Sequence, residues 1–312
     1  MHDESYQTDN SLLDLPNFLI VGAGKSGTTS IYHYLLQHPD IFMCHPKEPR
    51  FLSLGSDRTF NGPGDVLTER VNIDTFDDYS ELFKNSGKYK ARGEASVDSL
   101  YFHWNAIPRI KRYLGDPKII IILRNPVERA YSAYSYLRRD GWETLSFAEA
   151  LRVEEERKRL GYKWMWRYRE AGLYSEQVRA YLENFAHVRV FLYDDLRSDP
   201  QGLIHDLFTF LEVDPDFLPG TSTRHNASGI PRSTFLNALF VKPKRLHAMA
   251  RTVGGLLIGR QNWIALRERV RSLVLAKPEP IPAAIAEELR EYYREDILKL
   301  ERLAGLDLRK WL

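Results

Sequence analysis

The feature that most constrains the fold is a short apolar run followed by a glycine-rich turn and a helical pattern. Residues 17–22 read NFLIVG, residues 23–29 read AGKSGTT, and apolar side chains then recur at helical spacing from Ser30 to His38. A near-continuous apolar run of this length is typical of a strand buried on both faces of a parallel sheet. The succession of strand, loop and helix therefore predicts the opening of a β-α-β unit.

The rest of the chain continues this alternation. Further strands are predicted at Lys88–Glu94, Pro117–Leu123 and Val188–Tyr193. Helices are predicted at Ala106–Leu114, Val127–Arg138, Phe147–Arg159, Tyr174–Phe185, Gln201–Leu211, Leu236–Arg251, Trp263–Leu275 and Pro282–Leu303. We therefore expect an α/β fold with a central parallel sheet flanked by helices and a helical C-terminal part. We also expect a flexible N-terminal arm over residues 1–15 and a single domain over residues 16–312.

Composition narrows the functional classes. Lys and Arg total 44 against 42 Asp and Glu, a net charge of +2 that does not favour a general nucleic-acid binder. The single cysteine, Cys44, excludes an intramolecular disulfide and a cysteine-rich metal site. Residues 1–10 lack the apolar core of a signal peptide, and no apolar run approaches the roughly 20 residues of a membrane span. We expect a cytoplasmic protein without a membrane span.

The glycine-rich turn has the physical features of an anion-binding site. The first N–H groups of a helix have no intrahelical partners, and the helix dipole adds partial positive charge there. Lys25 adds a full charge, and the hydroxyls of Ser26, Thr28 and Thr29 add donors. The alternative is a structural turn that binds no ligand.

The turn differs from the nucleotide-triphosphate loop of kinases and ATPases. That motif needs a glycine five residues before Gly24-Lys25-Ser26, and the chain has Leu19 there. The strand at Pro117–Leu123 is followed by Arg124, where a magnesium-binding Asp would be expected. The sequence thus predicts a phosphate cradle without its metal partner. A kinase that uses ATP and Mg²⁺, and a non-catalytic nucleotide-binding protein, remain alternatives.

Two motifs together resemble the sulfotransferases that use 3′-phosphoadenosine 5′-phosphosulfate (PAPS). The match is to the branch with the heparan-sulfate and related carbohydrate enzymes and their bacterial relatives. Its Lys-x-Gly-Thr loop appears here as KSGTT at residues 25–29, and its strand ending in Arg-Asn-Pro before a helix appears as LRNPVERAYS at residues 123–132. The similarity covers about residues 17–235. It implies a P-loop-like three-layer fold, PAPS as sulfuryl donor, adenosine 3′,5′-bisphosphate (PAP) as product, and no metal.

The resemblance also assigns roles to residues. Arg124 and Ser132 would hold the 3′-phosphate, and Arg232 would lie near the same nucleotide. Glu48, in the stretch KEPRFL at residues 47–52, matches the Glu proposed as base in the carbohydrate branch. The loop residues that would bind the 5′-phosphosulfate are Lys25, Ser26, Gly27, Thr28, Thr29 and Ser30, with Lys25 also stabilising charge during transfer.

Alternatives to Glu48 remain open, and so does the acceptor. His45 and His103 are other candidate bases, and Glu48 could instead be a surface residue paired with Lys47 or Arg50. Ala95 stands where several relatives have Lys, and the C-terminal Lys-Gly-Arg element of the family is absent in that form. The acceptor is expected to be a hydroxyl or amine of a glycan, glycolipid or small metabolite. Candidate acceptor-site residues, with core packing as the alternative for the tryptophans, are Tyr136, Arg138, Trp164 and Trp166.

Overall fold

The computed structural model describes residues 14–55, 60–65, 73–220, 230–231, 275–276 and 280–312. Contacts between residues divide the chain into two compact units. The first comprises Met1–Arg58, Glu69–Arg124 and Ser175–His225, and the second comprises Thr59–Thr68, Asn125–Tyr174 and Asn226–Leu312. The single domain and the flexible arm expected from the sequence stay predictions.

A five-stranded parallel sheet organises the first unit. Its strands are β1 (Phe18–Gly22), β2 (Ile41–Met43), β3 (Ala91–Glu94), β4 (Lys118–Leu123) and β5 (Val188–Leu192), in the order β2-β3-β1-β4-β5. The four predicted strands are confirmed, and so is the α/β class. Strand β2 escaped prediction because three residues are too few to show a period. Strand β1 is buried throughout and β4 almost so, as expected of strands covered on both faces.

Helices connect the strands and account for most of the remaining described residues. In chain order they are α1 (Thr28–Leu35), α2 (Phe51–Leu54), α3 (Phe76–Glu81), α4 (His103–Leu114), α5 (Pro126–Arg139), α6 (Phe147–Arg152), α7 (Glu154–Arg159), α8 (Tyr174–Asn184), α9 (Tyr193–Ser198), α10 (Pro200–Phe210) and α11 (Ala283–Ala304). Within the described residues, no helix is both long and apolar enough to cross a membrane.

The predicted helix at Phe147–Arg159 is in fact two helices that meet at Val153. The first begins at a capping box formed by Ser146 and Glu149. The break allows the Glu154 carboxylate to turn inward, where it accepts hydrogen bonds from the backbone N–H groups of Arg169 and Glu170, each at 3.0 Å. Long-range capping of this kind leaves no local pattern, so helical periodicity alone predicted one continuous helix.

The second unit has its own buried polar core around α5 and α11. The Glu143 carboxylate accepts hydrogen bonds from Arg157 Nη1 at 2.6 Å and from the Tyr168 hydroxyl at 2.7 Å. Burial raises the pKa of Glu143, but hydrogen bonds from Arg157, the Leu145 N–H and Tyr168, together with the charge of Arg157, outweigh burial and lower the pKa overall. Tyr293 on α11 donates a hydrogen bond to the Arg169 carbonyl at 3.0 Å. The predicted helices Leu236–Arg251 and Trp263–Leu275 lie outside the described residues, apart from Leu275, which begins a two-residue strand.

Candidate active site

The glycine-rich loop connects the end of β1 to the start of α1 at the carboxyl edge of the sheet. Lys25 and Gly27 both have positive φ angles, 73° and 87° respectively. The Ser26 side chain is fully buried, and its hydroxyl has no hydrogen-bond partner among the described residues. A buried donor without a partner is costly unless a ligand satisfies it. The loop therefore has an unused hydroxyl where the sequence predicts an anion.

Glycine is required at position 27 for two reasons. A positive φ strains any residue with a Cβ atom. A Cβ atom here would also lie 2.6 Å from Leu196 Cδ2 and 2.9 Å from Tyr193 Cδ2. Helix α9 thus packs directly against the loop and restricts its backbone.

The structure brings Arg124 to the same loop. Strands β1 and β4 are parallel neighbours, and Arg124 directly follows β4, so both chain segments emerge at one edge of the sheet. Arg124 Nη1 donates a hydrogen bond to the Lys25 carbonyl at 3.4 Å. The Arg124 guanidinium also lies over the Tyr193 ring, 4.7 Å from its centroid. Two cationic residues about a hundred positions apart in the sequence are therefore adjacent.

The remaining candidate nucleotide-binding residues differ in where the structure places them. Thr28 is buried, while Thr29 and Ser30 are partly buried in the first turn of α1. Ser132 lies on the buried side of α5 in the second unit and is 9% exposed. Its shared role with Arg124 stays a prediction. Arg232 lies outside the described residues.

Glu48 lies in a loop after β2 and is paired with two cations. Lys47 Nζ lies 2.8 Å from Glu48 Oε1, and Arg50 Nη2 lies 2.7 Å from Glu48 Oε2. Burial raises the pKa of the Glu48 carboxyl, but the charges and hydrogen bonds of Lys47 and Arg50 outweigh burial and lower the pKa to about 2. The ion pairs considered as the structural alternative for Glu48 are present, and both cations take part.

A buried network behind Glu48 was not predicted from the sequence. Arg50 Nε lies 3.5 Å from Asp98 Oδ2, and the Ser53 hydroxyl donates a hydrogen bond to Asp98 Oδ1 at 3.0 Å. The Arg50 backbone N–H donates to the Ser96 hydroxyl oxygen at 3.0 Å. Asp98 is 1% exposed. The network connects segments more than forty residues apart, so no local spacing pointed to Asp98, and Arg50 was considered only as a partner of Glu48.

Glu94 ends β3 beside this network and is 2% exposed. Burial, followed by the negative charge of Asp98, raises the pKa of the Glu94 carboxyl to about 8. The Ser96 hydroxyl donates a weak hydrogen bond to Glu94 Oε2 at 3.4 Å. At neutral pH Glu94 therefore carries a proton, while Glu48 close by is ionised.

The two histidines considered as alternative bases differ in their surroundings. His45 is exposed, and His103 is partly buried at the start of α4. Burial lowers the pKa of the His103 ring, so His103 is neutral at pH 7.

Both tryptophans considered for the acceptor site are core residues. Trp164 and Trp166 are 3% and 1% exposed, and Trp166 Nε1 donates a hydrogen bond to Asp65 Oδ1 at 3.3 Å. Their burial does not support a role in acceptor binding. The sequence suggested that role because large aromatic side chains can stack on an acceptor, and it does not show which of them are buried. Arg138 Nη1 is held by the Thr144 carbonyl at 2.8 Å. Tyr136 is partly buried.

The described side chains can be checked for a group of residues that would bind a metal ion. Within the described residues, no group of three or more His, Cys, Asp or Glu side chains is arranged to hold a metal ion. The sequence-based expectation of a metal-independent reaction stays a prediction.

Comparison with known proteins identifies the family to which the chain is similar. A profile described as the sulfotransferase family matches residues 16–216. The crystal structure of a sulfotransferase from Alicyclobacillus acidocaldarius superimposes with a TM-score of 0.74 at 35% sequence identity, covering 95% of this chain and 98% of that chain.

Two curated relatives match over shorter stretches. The mouse bifunctional heparan sulfate N-deacetylase/N-sulfotransferase 2 is 28% identical over 234 residues, 71% of this chain and 25% of its own length. The membrane-associated sulfotransferase kil1 of Dictyostelium discoideum is 30% identical over 152 residues, 47% of this chain and 29% of its own length. The chain thus matches about a quarter of the length of these curated relatives.

Proposed function

The chain belongs to the sulfotransferase family, and we propose that it transfers a sulfuryl group from PAPS to a hydroxyl or amine of an acceptor. One observation carries the proposal. The loop of Lys25 and the guanidinium of Arg124 meet at adjacent strand ends, with 3.4 Å between Arg124 Nη1 and the Lys25 carbonyl. PAPS carries phosphate groups at both its 3′ and 5′ positions. Its binding site therefore needs two cationic groups that are close enough for a single nucleotide to contact both.

The residues present fit this donor. The N–H groups in the first turn of α1 and the buried Ser26 hydroxyl are donors suited to the oxygens of a 5′-phosphosulfate. Arg124 offers a planar fork of N–H groups that matches a phosphate. We further propose that the nucleotide is contacted by Gly27, Thr28, Thr29, Ser30, Ser132 and Arg232.

The chemistry divides between donor and protein. PAPS supplies the sulfuryl group: a bond forms from the acceptor oxygen or nitrogen to sulfur while the bond from sulfur to the bridging phosphate oxygen breaks, and PAP keeps the electron pair. Lys25 and the loop amides stabilise the negative charge that develops on the bridging oxygen. Glu48 takes the proton from the attacking group.

The acceptor we propose first is a carbohydrate. This choice is supported by the curated relatives whose names specify heparan sulfate, and a glycolipid or small metabolite is the next candidate. The cytoplasmic location expected from the sequence stays a prediction.

Labelled donor tests the proposal. Incubation with ³⁵S-labelled PAPS and a panel of glycans, glycolipids and small alcohols or amines should give a labelled product and PAP. Glu48→Gln should lower kcat by about 10²- to 10⁴-fold, the usual contribution of a general base. ATP with Mg²⁺ should give no phosphorylated product. Failure of the wild-type chain to bind PAPS would contradict the proposal, whereas an unchanged kcat in Glu48→Gln would remove only the base assignment.

A further inference from the structure

Glu48 presents a conflict between its proposed role and its surroundings. A general base works best when its pKa lies near the pH of the reaction. The Glu48 carboxylate is instead held by a cation on each oxygen, at 2.8 Å and 2.7 Å, and its pKa is lowered to about 2. A carboxylate in this state accepts a proton poorly. One of the two cations must leave before Glu48 can act as an effective base.

The two cations are not equally free to leave. Arg50 is fixed by its ion pair with Asp98 and by the hydrogen bond from its backbone N–H to Ser96. The Asp98 carboxylate is itself held by the Ser53 hydroxyl, which donates to it at 3.0 Å. Lys47 makes one hydrogen bond from its ammonium group, to Glu48, among the described residues. A lysine side chain has a flexible four-carbon stem and three N–H donors, so its ammonium group can move from one anion to another at little cost.

The proposed reaction brings a new anion within reach of Lys47. A base lies about 3 Å from the proton-bearing atom that it serves. That atom lies about 3–3.5 Å from the sulfur that it attacks. The sulfur atom is thus within about 6.5 Å of the Glu48 carboxylate. The flexible four-carbon stem of Lys47 can cover that distance.

We propose that Lys47 is an exchangeable counter-ion: it pairs with Glu48 in the free chain and moves to the sulfuryl oxygens of bound donor, which frees Glu48 to act as base. The proposal rests on the proposed function and deepens it. Donor binding and activation of the base become one event. Without donor, the carboxylate stays neutralised; with donor, only the anchored Arg50 remains beside it.

Nucleotide affinity measured without acceptor tests the exchange. Calorimetric titrations with PAPS and with PAP, which lacks the sulfuryl group, are compared for the wild type, Glu48→Gln, Lys47→Met and the double variant. In Glu48→Gln the lysine no longer has to leave a carboxylate, so PAPS should bind about 3- to 10-fold more tightly while PAP affinity stays within about twofold. Lys47→Met should weaken PAPS alone, and Lys47→Arg should restore part of the loss.

The double variant separates exchange from simple charge repulsion. If Lys47 mediates the effect, Glu48→Gln should leave PAPS affinity unchanged in the Lys47→Met background. The same tightening in both backgrounds, or equal changes for PAPS and PAP, would overturn the proposal and leave the proposed function intact. Glu81→Gln, which removes an exposed carboxylate paired with Lys84 at 2.7 Å, is the matched control and should change neither affinity. If the wild type binds neither nucleotide, the proposed function itself is wrong.

Discussion

Backbone strain at single residues is concentrated in the candidate site. Five non-glycine residues in the described part of the chain have positive φ, and three of them are Lys25, Glu48 and Arg50, at 73°, 64° and 60°. Such conformations cost of the order of 1–3 kcal/mol each and persist only where surrounding contacts impose them. The strain accompanies the residues to which the proposed reaction assigns charge stabilisation and proton transfer.

The charge of Lys25 should matter for transfer and little for folding. Lys25→Met keeps the apolar stem and removes the ammonium group, so kcat for sulfuryl transfer should fall about 10²- to 10³-fold, as when one preorganised donor is lost. The Tm should change by no more than about 2 °C, because the side chain is only partly buried and its apolar stem is kept. Steady-state kinetics and thermal unfolding measure the two quantities. Lys84→Met, an exposed lysine, should keep full activity; equal activity in Lys25→Met would contradict the role.

Glu94 should make stability depend on pH. Its pKa is raised from about 4.5 to about 8 by burial and by the charge of Asp98. Between these values the folded chain keeps a proton that the unfolded chain has released, so stability falls as pH rises from 5 to 8.

Glu94→Gln should remove this dependence. The amide is neutral in both states, so the loss of Tm from pH 5 to pH 8 should be smaller by a few degrees than in the wild type. Thermal unfolding at both pH values measures it. An identical pH dependence in both proteins would show that Glu94 ionises normally.

At the residue scale, the sequence singled out the residues whose signal is local, and their roles in the reaction stay predictions. Lys25 and Arg124 stood out because each follows a strongly apolar strand. Asp98 did not, because a buried ion pair with a distant segment leaves no spacing to recognise. The exposed fraction of a side chain was equally invisible, so Trp164 and Trp166 were considered for the acceptor site although both are buried.

Among the elements, the loop between β1 and α1 depends on its neighbours as much as on its own sequence. Leu196 and Tyr193, from α9, contact the place that a Cβ atom of residue 27 would occupy. The loop of β3 and α4 acts similarly at Gly22, where a Cβ atom would lie 2.5 Å from Leu100 Cβ. The glycine-rich loop is therefore shaped by elements that come later in the chain.

A pair of glycine substitutions separates this packing from backbone strain. Gly27 and Gly305 are both left-handed, with φ of 87° and 64°, but a Cβ atom at Gly305 would meet nothing within 4 Å. Both Gly→Ala variants carry the φ penalty, and Gly27→Ala adds overpacking of about 1–3 kcal/mol. Denaturant unfolding should show Gly27→Ala as the less stable of the two, and PAPS affinity should fall only in Gly27→Ala. Equal losses in both variants would show that the loop is not packed as described.

Element prediction was reliable for long patterns and poor for short ones. Strands β1 and β4 were predicted within one residue, because continuous apolar runs reflect burial on both faces. Strand β2 and helix α9 were missed, since three to six residues show no period. The break at Val153 depends on a carboxylate that caps a distant segment, which no periodicity contains.

At the scale of the whole molecule, PAPS and PAP should stabilise the folded chain, whereas ATP should not. A ligand that binds only the folded chain raises stability by about 2.7 kcal/mol at a hundred times its Kd. PAPS and PAP should therefore raise the Tm by several degrees, while ATP with Mg²⁺ should leave it unchanged. Thermal shift assays with and without EDTA measure this. Stabilisation by ATP that depends on Mg²⁺ would favour the kinase alternative instead.

The central claim is that the loop of Lys25 and the guanidinium of Arg124 hold opposite ends of one nucleotide. A crystal structure of the chain with PAP tests it most directly. We expect the 5′-phosphate to lie against the N–H groups of residues 25–29 and the 3′-phosphate to lie within hydrogen-bond distance of Arg124. Density for PAP that reaches only one of these groups, or that lies elsewhere on the chain, would contradict it.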